Sequence, residues 1–404
     1  MNDTALLDNP MHMRGSNHEG MRQFNERTVL QAIRLHGAIP KADLARVTQL
    51  SKQTVSIIVE RLMDDGLLIK QARLRGGIGQ PSIPLALNPD GAFSLGVQVG
   101  RRSLEVLVLD FVGKVRQSHT FEYDVPDPDR VLPQIAQVLM RVRQDLDDQW
   151  PRMVGLGLAA PLGMHQWADL MGPQAMPALA RWEHVDLRER VQAMTDLPVV
   201  FARDTVAACT AELLQGHGQQ WRNFLYVFVG TFVGGGLVLS GHLMTGKRGN
   251  AGAIGSMPMC LAGGAGPGQL LEVASGWQLE SLLLQAGHGA SLVHSDAILQ
   301  PAYAALVNRW LTDASNALAQ SMVASTALLD LDAVVLDGSL SSGLLARLRE
   351  QTQAALLNYQ QVGIHRPVLV QGLVGQHARA LGGALLPLHL QFSPDKDIFL
   401  KQDL

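Results

Sequence analysis

Leu225-Tyr226-Val227-Phe228-Val229-Gly230-Thr231-Phe232-Val233-Gly234-Gly235-Gly236-Leu237-Val238-Leu239-Ser240 decides the fold class of this 404-residue chain. Its two apolar runs, 225–229 and 236–240, have the length and the aromatic and branched content of buried strands. The loop 230–235 joins them. The whole apolar stretch from Phe224 to Leu239 is broken by Gly230, Thr231 and three further glycines. It is also shorter than the roughly 18 to 20 residues a membrane-spanning helix needs. A glycine-rich turn lets backbone N–H groups approach an anion without Cβ obstruction, so residues 230–236 are compatible with a phosphate cradle. From spacing alone they read first as a tight hairpin between two buried strands.

The same pattern opens earlier. Residues 93–100 and 103–110 read as two strands, Phe111-Val112-Gly113-Lys114 as the next turn, 130–148 as an amphipathic helix and 154–161 as a strand entering a loop. Strand pairs followed by helices predict an α/β body. The similar openings at Phe93 and Leu225 predict two related halves with a cleft between them.

Residues 1–20 are polar and aperiodic and read as a tail. Helical spacing of Phe24, Val29, Ala32, Ile33 and Leu35 follows, with Gly37 as the stop. A second helix is expected with Pro40 in its first turn, where a missing N–H costs nothing. Ser51 is a good N-cap for a third, whose buried side is Val55, Ile58, Val59 and Leu62. Three such helices with a tight turn between the last two describe a helix-turn-helix. Ser51, Lys52, Gln53, Thr54 and Ser56 then sit at the start of a helix suited to base edges and phosphates. Residues 67–70 and a run from Ile83 are expected to pair around a basic glycine-rich loop containing Arg73, Arg75 and Gln80, as a wing.

Charge separates this head from the rest. Residues 20–75 hold ten Lys/Arg and five acids, a net of +5, while the remainder carries −8 within an overall −3. A basic module on an acidic body points to a polyanion-binding part and a second part with another task. The alternative is a dimerisation or peptide-binding module with a solvated charged face.

Composition narrows the classes further. With 47% hydrophobic residues the chain can bury more than one core, and 17% charge is not the composition of a disordered protein. Two cysteines, Cys209 and Cys260, cannot build a disulfide framework or an all-cysteine metal site. The first twenty residues lack the basic start and apolar core of a secretory signal. A soluble, cytoplasmic protein without membrane contact is expected.

From Asn17 to about Leu388 the chain resembles the ROK family, whose name joins repressors, open reading frames and sugar kinases. The resemblance rests on Leu50-Ser51-Lys52-Gln53-Thr54-Val55-Ser56, Leu85-Ala86-Leu87-Asn88-Pro89, and Leu197-Pro198-Val199 ahead of Asp204. It continues through the 230–236 loop, Gly249-Asn250-Ala251-Gly252-Ala253-Ile254-Gly255, Leu271-Glu272-Val273-Ala274-Ser275-Gly276 and Gly382-Gly383-Ala384. It implies an α/β fold: a winged helix-turn-helix followed by a two-lobed actin-like, hexokinase-like (ribonuclease H-like) ATPase-fold body. The expected domains are a tail at 1–20, the DNA-binding head at 21–88 and the effector-binding, oligomerising body at 89–404.

Residue by residue, the resemblance carries over unevenly. The family's Asp-x-Gly-Gly-Thr phosphate loop reads Gln98-Val99-Gly100-Arg101-Arg102, without the carboxylate that helps organise magnesium and with two arginines where small residues admit phosphate. Asp204 matches the catalytic base, but the Glu-Asn before it is Ala202-Arg203. The family's sugar-contacting Glu and its zinc-binding His correspond to Ala253 and Ser256, and the three zinc cysteines to Gly263, Ala265 and Leu270. Zinc is not expected, because structural zinc takes four N/S donors. Glu272 matches the last sugar-contacting carboxylate.

The expected ligand site is therefore Arg203, Asp204, Ser256 and Glu272. Arg203 fits an acidic or phosphorylated sugar, or alternatively only an internal pair with Asp204. In the wing, the family's Gly-Arg-Pro is Gly79-Gln80-Pro81, and Arg73 and Arg75 carry the charge instead. The expectation is a homodimeric or homotetrameric repressor of carbohydrate genes that binds double-stranded operator DNA and a sugar or sugar derivative. It has no cofactor, no metal and no catalytic residue. Alternatives are an active sugar kinase with an added head and a ligand-blind DNA-binding regulator.

Overall fold

The computed structural model describes residues 18–72, 83–167, 175–260, 267–360 and 362–394. It divides into two compact units, one running to Phe93 with Asp110–Lys114 and the segment from Leu388, the other holding Ser94–Leu109 and Val115–Pro387.

The first unit opens on α1 (His18–His36), three residues before the sequence expects it. Glu19 in the first turn pairs with Arg22 and accepts from Gln23 at 3.4 Å, so local side chains extend the helix into residues read as tail. Residues 1–17 of that tail lie outside the described residues. After α1 come β1 (Ala38–Pro40), α2 (Lys41–Thr48), α3 (Lys52–Asp64), β2 (Leu68–Lys70) and β3 (Pro84–Leu87). Pro40 is the extended N-cap of α2 and not, as the sequence reading had it, a first-turn residue. It ends β1 opposite Pro84, so strand pairing, invisible in a three-residue stretch, claims it first.

β3 lies between β1 and β2 and pairs antiparallel with both. Val29, Ile33, Ile39, Leu44, Val55, Ile58, Val59, Leu62, Leu68 and Leu85 form the buried interior. Gln49 takes a left-handed φ of 57° at the end of α2, which makes the sharp turn into α3. Within this unit Arg27 of α1 donates to the carbonyls of Leu390 and Ser393 at 3.2 and 3.3 Å, and Phe111 packs edge-on against Phe392.

The second unit holds two five-stranded sheets of one design. The first contains β4 (Phe93–Val99), β5 (Ser103–Asp110), β6 (Val115–Glu122), β7 (Met153–Ala160) and β8 (Val199–Arg203), ordered β6-β5-β4-β7-β8. The second contains β9 (Phe224–Val229), β10 (Val233–Leu239), β11 (His242–Met244), β12 (Ala333–Gly338) and β13 (Val368–Gln371), ordered β11-β10-β9-β12-β13. In both, the second strand of the set sits between the first and the third, and the fourth and fifth extend the other side. β5 with β6, and β10 with both its neighbours, are antiparallel; β7 with β8, and β12 with both its neighbours, are parallel. The repeated openings at Phe93 and Phe224 are thus two copies of one sheet plan.

Helix α4 (Pro128–Leu146) is capped by Asp127 and buries Val131, Ile135, Val138, Leu139 and Val142 along one stripe. It stops two residues short of expectation because Asp147 turns to a φ of 36°. Helices α5 (Asp204–Gln215), α6 (Gly276–Gln285), α7 (Ala304–Leu329) and α8 (Ala378–Phe392) follow. The second sheet's core joins Leu225, Val227 and Val229 to Trp310, Leu311, Ala314 and Leu318 of α7.

The glycine run is not a loop. Gly234, Gly235 and Gly236 lie inside β10, and the turn is only Gly230-Thr231-Phe232. A methyl at Gly234 would stand 2.6 Å from Thr205 Cγ2, one at Gly235 2.4 Å from the Tyr226 carbonyl oxygen, and one at Gly236 2.4 Å from Cys209 Cβ. Gly234 and Gly236 let α5 lie against the strand, and Gly235, on the opposite face, lets the backbones of Tyr226 and Gly252 come close, so close packing explains all three.

Candidate functional site

Two regions carry the candidate residues. In the head, Ser51 Oγ accepts from the Thr54 N–H at 3.1 Å and meets the Thr54 hydroxyl at 2.8 Å, which fixes the start of α3. Lys52 and Gln53 are exposed there, while Thr54 and Ser56 are half-buried. Ile57, which the sequence reading passed over, is 53% exposed on the same helix and offers an apolar contact of the kind that reads a thymine methyl. Glu26 of α1 pairs with Arg61 and Lys41 of α2 with Glu60 at 3.8 Å, so α3 is held from its far side and its first turns stay open. Arg73, Arg75 and Gln80 lie outside the described residues, although β2 and β3, which would carry that wing, are paired as expected.

In the second unit a cleft of about 970 Å³ is lined by residues of both sheets. That volume falls in the range of roughly 300–1,000 Å³ common for small-molecule sites. Arg203 and Asp204, at the junction of β8 and α5, line it; Ser256 and Glu272 are not among its lining residues. Ser256 is exposed on a single turn, Ile254–Ser256. Glu272 Oε1 accepts from the Gln269 N–H at 3.1 Å as half of a capping box, so its carboxylate is engaged locally.

The cleft instead gathers arginines. Arg101 and Arg102, on the turn between β4 and β5, share Glu280 of α6: Arg102 Nη2 donates to Oε2 at 3.1 Å and Arg101 Nη2 lies 3.6 Å from the same oxygen. The Glu280 side chain is 1% exposed and that of Arg101 12%. Arg101 also stacks over the Trp277 ring, 5.7 Å from its centroid. At the other group, Asp204 Oδ2 pairs with Arg379 of α8 at 3.6 Å, and Arg379 lies over Phe228. Arg203 turns away from its neighbour and donates to the Ala251 carbonyl at 3.3 Å. Burial holds Arg101 and Arg203 below the usual guanidinium range, with Glu280 and Asp204 respectively opposing that shift.

Sequence reasoning missed Glu280, Arg379 and Trp277. The available signals were weak: an acid on the buried face of Leu279-Glu280-Ser281-Leu282-Leu283, and an arginine opening the apolar helix α8. Gln98, in the place of the family's magnesium-organising carboxylate, is 1% exposed, and neither side-chain atom has a partner among the described residues. An uncharged amide does not suit that metal. The zinc positions fare similarly: Ser256 and Leu270 supply no N or S donor, Gly263 and Ala265 lie outside the described residues, and no cluster able to hold a metal occurs among the described ones. Nor is any helix among them long and apolar enough to cross a membrane.

Comparison with known proteins identifies the family of the second unit and a relative of the head. The ROK family model matches residues 94–389, and a MarR family model matches residues 23–76. The chain is 26% identical over 371 residues to an uncharacterized protein, y4fQ of Sinorhizobium fredii, covering 91% of this chain and 92% of that one. It is 25% identical to a xylose repressor of Bacillus spizizenii, covering 61% of this chain and 65% of the repressor. With the DNA-binding transcriptional repressor Mlc of Escherichia coli it shares 24%, over 55% of each. The chain thus spans less than two thirds of the length of these named repressors. Among solved structures, a ROK family transcriptional regulator, a homolog of the E. coli Mlc protein, superposes with a TM-score of 0.66 at 22% identity, covering 92% of this chain and 98% of that one. A ROK glucokinase of Streptomyces griseus superposes at 0.57 and 20%, over 73% and 99%.

Proposed function

The chain belongs to the ROK family, and on that premise we propose that it is a sugar-responsive DNA-binding repressor whose cleft binds its ligand without transferring phosphate. The observation that carries this reading is the Arg101–Glu280–Arg102 cluster at the turn where a kinase of the family admits phosphate. Two guanidiniums line that turn in place of small residues, held by one buried carboxylate. The capped, exposed start of α3 supports the DNA-binding half, and the likeness to a xylose repressor and to Mlc supports the repressor role. Arg203 and Asp204 are the ligand-binding residues in this reading, and Lys52 and Gln53 meet operator DNA. A homodimer would present two such helices to a two-fold operator.

A gel shift with the DNA upstream of the chain's own gene tests this. Sequence-preferring binding at moderate salt that a sugar or sugar derivative weakens is the expected result. No preference over random DNA overturns the reading.

One observation favours the second reading, an active sugar kinase: Asp204, the family's base position, lines the cleft. Turnover of ATP with magnesium and a sugar that Asp204→Asn abolishes would establish it.

A further inference from the structure

The cleft's charges form two clusters of one design. Arg101 and Arg102 share the single carboxylate of Glu280. Arg203 and Arg379 flank the single carboxylate of Asp204, which pairs with Arg379 and acts on Arg203 through space. Each cluster is therefore left with one positive charge in excess, and residues of both line the same cleft. Among the other lining acids, Glu105 lies 3.2 Å from His377, which balances its charge only when protonated, so at neutral pH Glu105 offsets one of the two excess charges and one remains. Glu122 and Asp124 are exposed to water at the edge.

The donors are also underused. Nε of Arg101, Arg102, Arg203 and Arg379, and Nη1 of Arg101, are buried without a hydrogen-bond partner among the described residues. A guanidinium offers five donors and no acceptor, so it is poorly matched to a sugar hydroxyl that must donate, and well matched to a carboxylate or phosphate. Buried donors left unmade are costly, and unpaired buried charge more so. An anion in the cleft would answer the charge deficit through the terminal nitrogens that face it, while the buried Nε groups stay out of its reach.

We propose that the ligand of this cleft is an anionic sugar, carrying a carboxylate or a phosphate, bound through Arg203 and Arg102. The inference rests on the reading of the cleft as an effector site and adds the chemical class of the effector. Arg102 is the more exposed member of its pair, at 36%, and Arg203 spends one donor on a neutral carbonyl, so these two have donors to offer.

The test is calorimetry and thermal shift on the full chain with matched probes: glucose, glucose 6-phosphate, glucuronate, xylose and inorganic phosphate alone. A phosphate or a carboxylate sugar is expected to bind, with the two arms separating the two sources. Its neutral counterpart should bind at least about tenfold more weakly. Arg203→Gln should cost the anionic sugar about tenfold or more, and Arg203→Lys, which keeps the charge, less. If Arg203→Gln melts early without ligand, Arg102→Gln supplies the readout. A neutral sugar binding as tightly as its anionic counterpart overturns the inference. So does inorganic phosphate alone binding as tightly as the sugar phosphate, a lack of response to both anionic sugars, or insensitivity of their binding to both glutamine variants. Operator binding reports separately. If neutral sugars release the DNA and anionic ones do not bind, the anion inference falls and the repressor reading stands. If anionic sugars bind a chain with no operator preference, the reverse holds.

Discussion

Asp204 is paired with Arg379, 3.6 Å away on a distant helix, and not with Arg203 beside it in the chain. The pairing leaves the base-position carboxylate tied to a cation that also lies over Phe228, and it leaves Arg203 with a carbonyl oxygen as its hydrogen-bond partner. Adjacent residues at the junction of β8 and α5 project differently, so sequence neighbours need not be spatial partners.

Gln53 and Lys52 should separate base reading from phosphate contact. Gln53→Ala is expected to relax sequence preference, costing about 1–3 kcal/mol at one operator position. Lys52→Ala should weaken binding evenly across sequences and lower the salt slope by about one. Gel shifts on a set of single-base operator variants at two salt concentrations distinguish these outcomes.

Glu280→Ala removes the carboxylate shared by Arg101 and Arg102 and leaves a largely buried guanidinium without its counter-ion. Urea unfolding should show a loss of about 3 kcal/mol. A loss under about 0.5 kcal/mol, the size expected for an ordinary surface change, would show that the cluster is well solvated.

Gly236→Ala places a methyl 2.4 Å from Cys209 Cβ and 2.8 Å from its sulfur. Because α5 would have to move off β10, a loss of about 1–3 kcal/mol is expected, read as a lower urea midpoint. If the glycines instead belonged to a free loop, the substitution would be neutral.

Cys209 is fully buried, and burial followed by the nearby Glu212 carboxylate pushes its thiol up. The thiolate is the reactive form, so it should be essentially absent at pH 8. In a Cys260→Ser background, a disulfide reagent is expected to leave the native chain unlabelled and to label one thiol per chain in denaturant. Rapid native labelling would show that α5 opens from β10.

Much of the head was legible because its signals are local. Ser51 caps its own helix through Thr54, three residues on, and the stripe of Val55, Ile58, Val59 and Leu62 repeats within one element. β1 escaped notice because three residues, Ala38-Ile39-Pro40, show no alternation; only pairing with Leu85 and its neighbours makes them a strand. In the body the strand runs were plain, whereas the lining of the candidate cleft was only partly legible. Arg203 and Asp204 line the cleft, but Glu272 resembles a site residue while its carboxylate closes a capping box, a use no spacing distinguishes.

The sequence by itself determined the helix-turn-helix, the α/β body, the repeated openings at Phe93 and Leu225, and the division of a net −3 into a basic head and an acidic remainder. These follow from periodicity, caps and charge counts, each a property of neighbours along the chain. Tertiary structure alone decided that Gly234 and Gly236 serve packing against α5, that Arg101 and Arg102 converge on Glu280, and that Asp204 takes Arg379. The physical reason is common to all three. Close approach and charge pairing depend on which distant side chain the fold delivers to within a few ångströms, and a buried charge takes the partner that geometry offers.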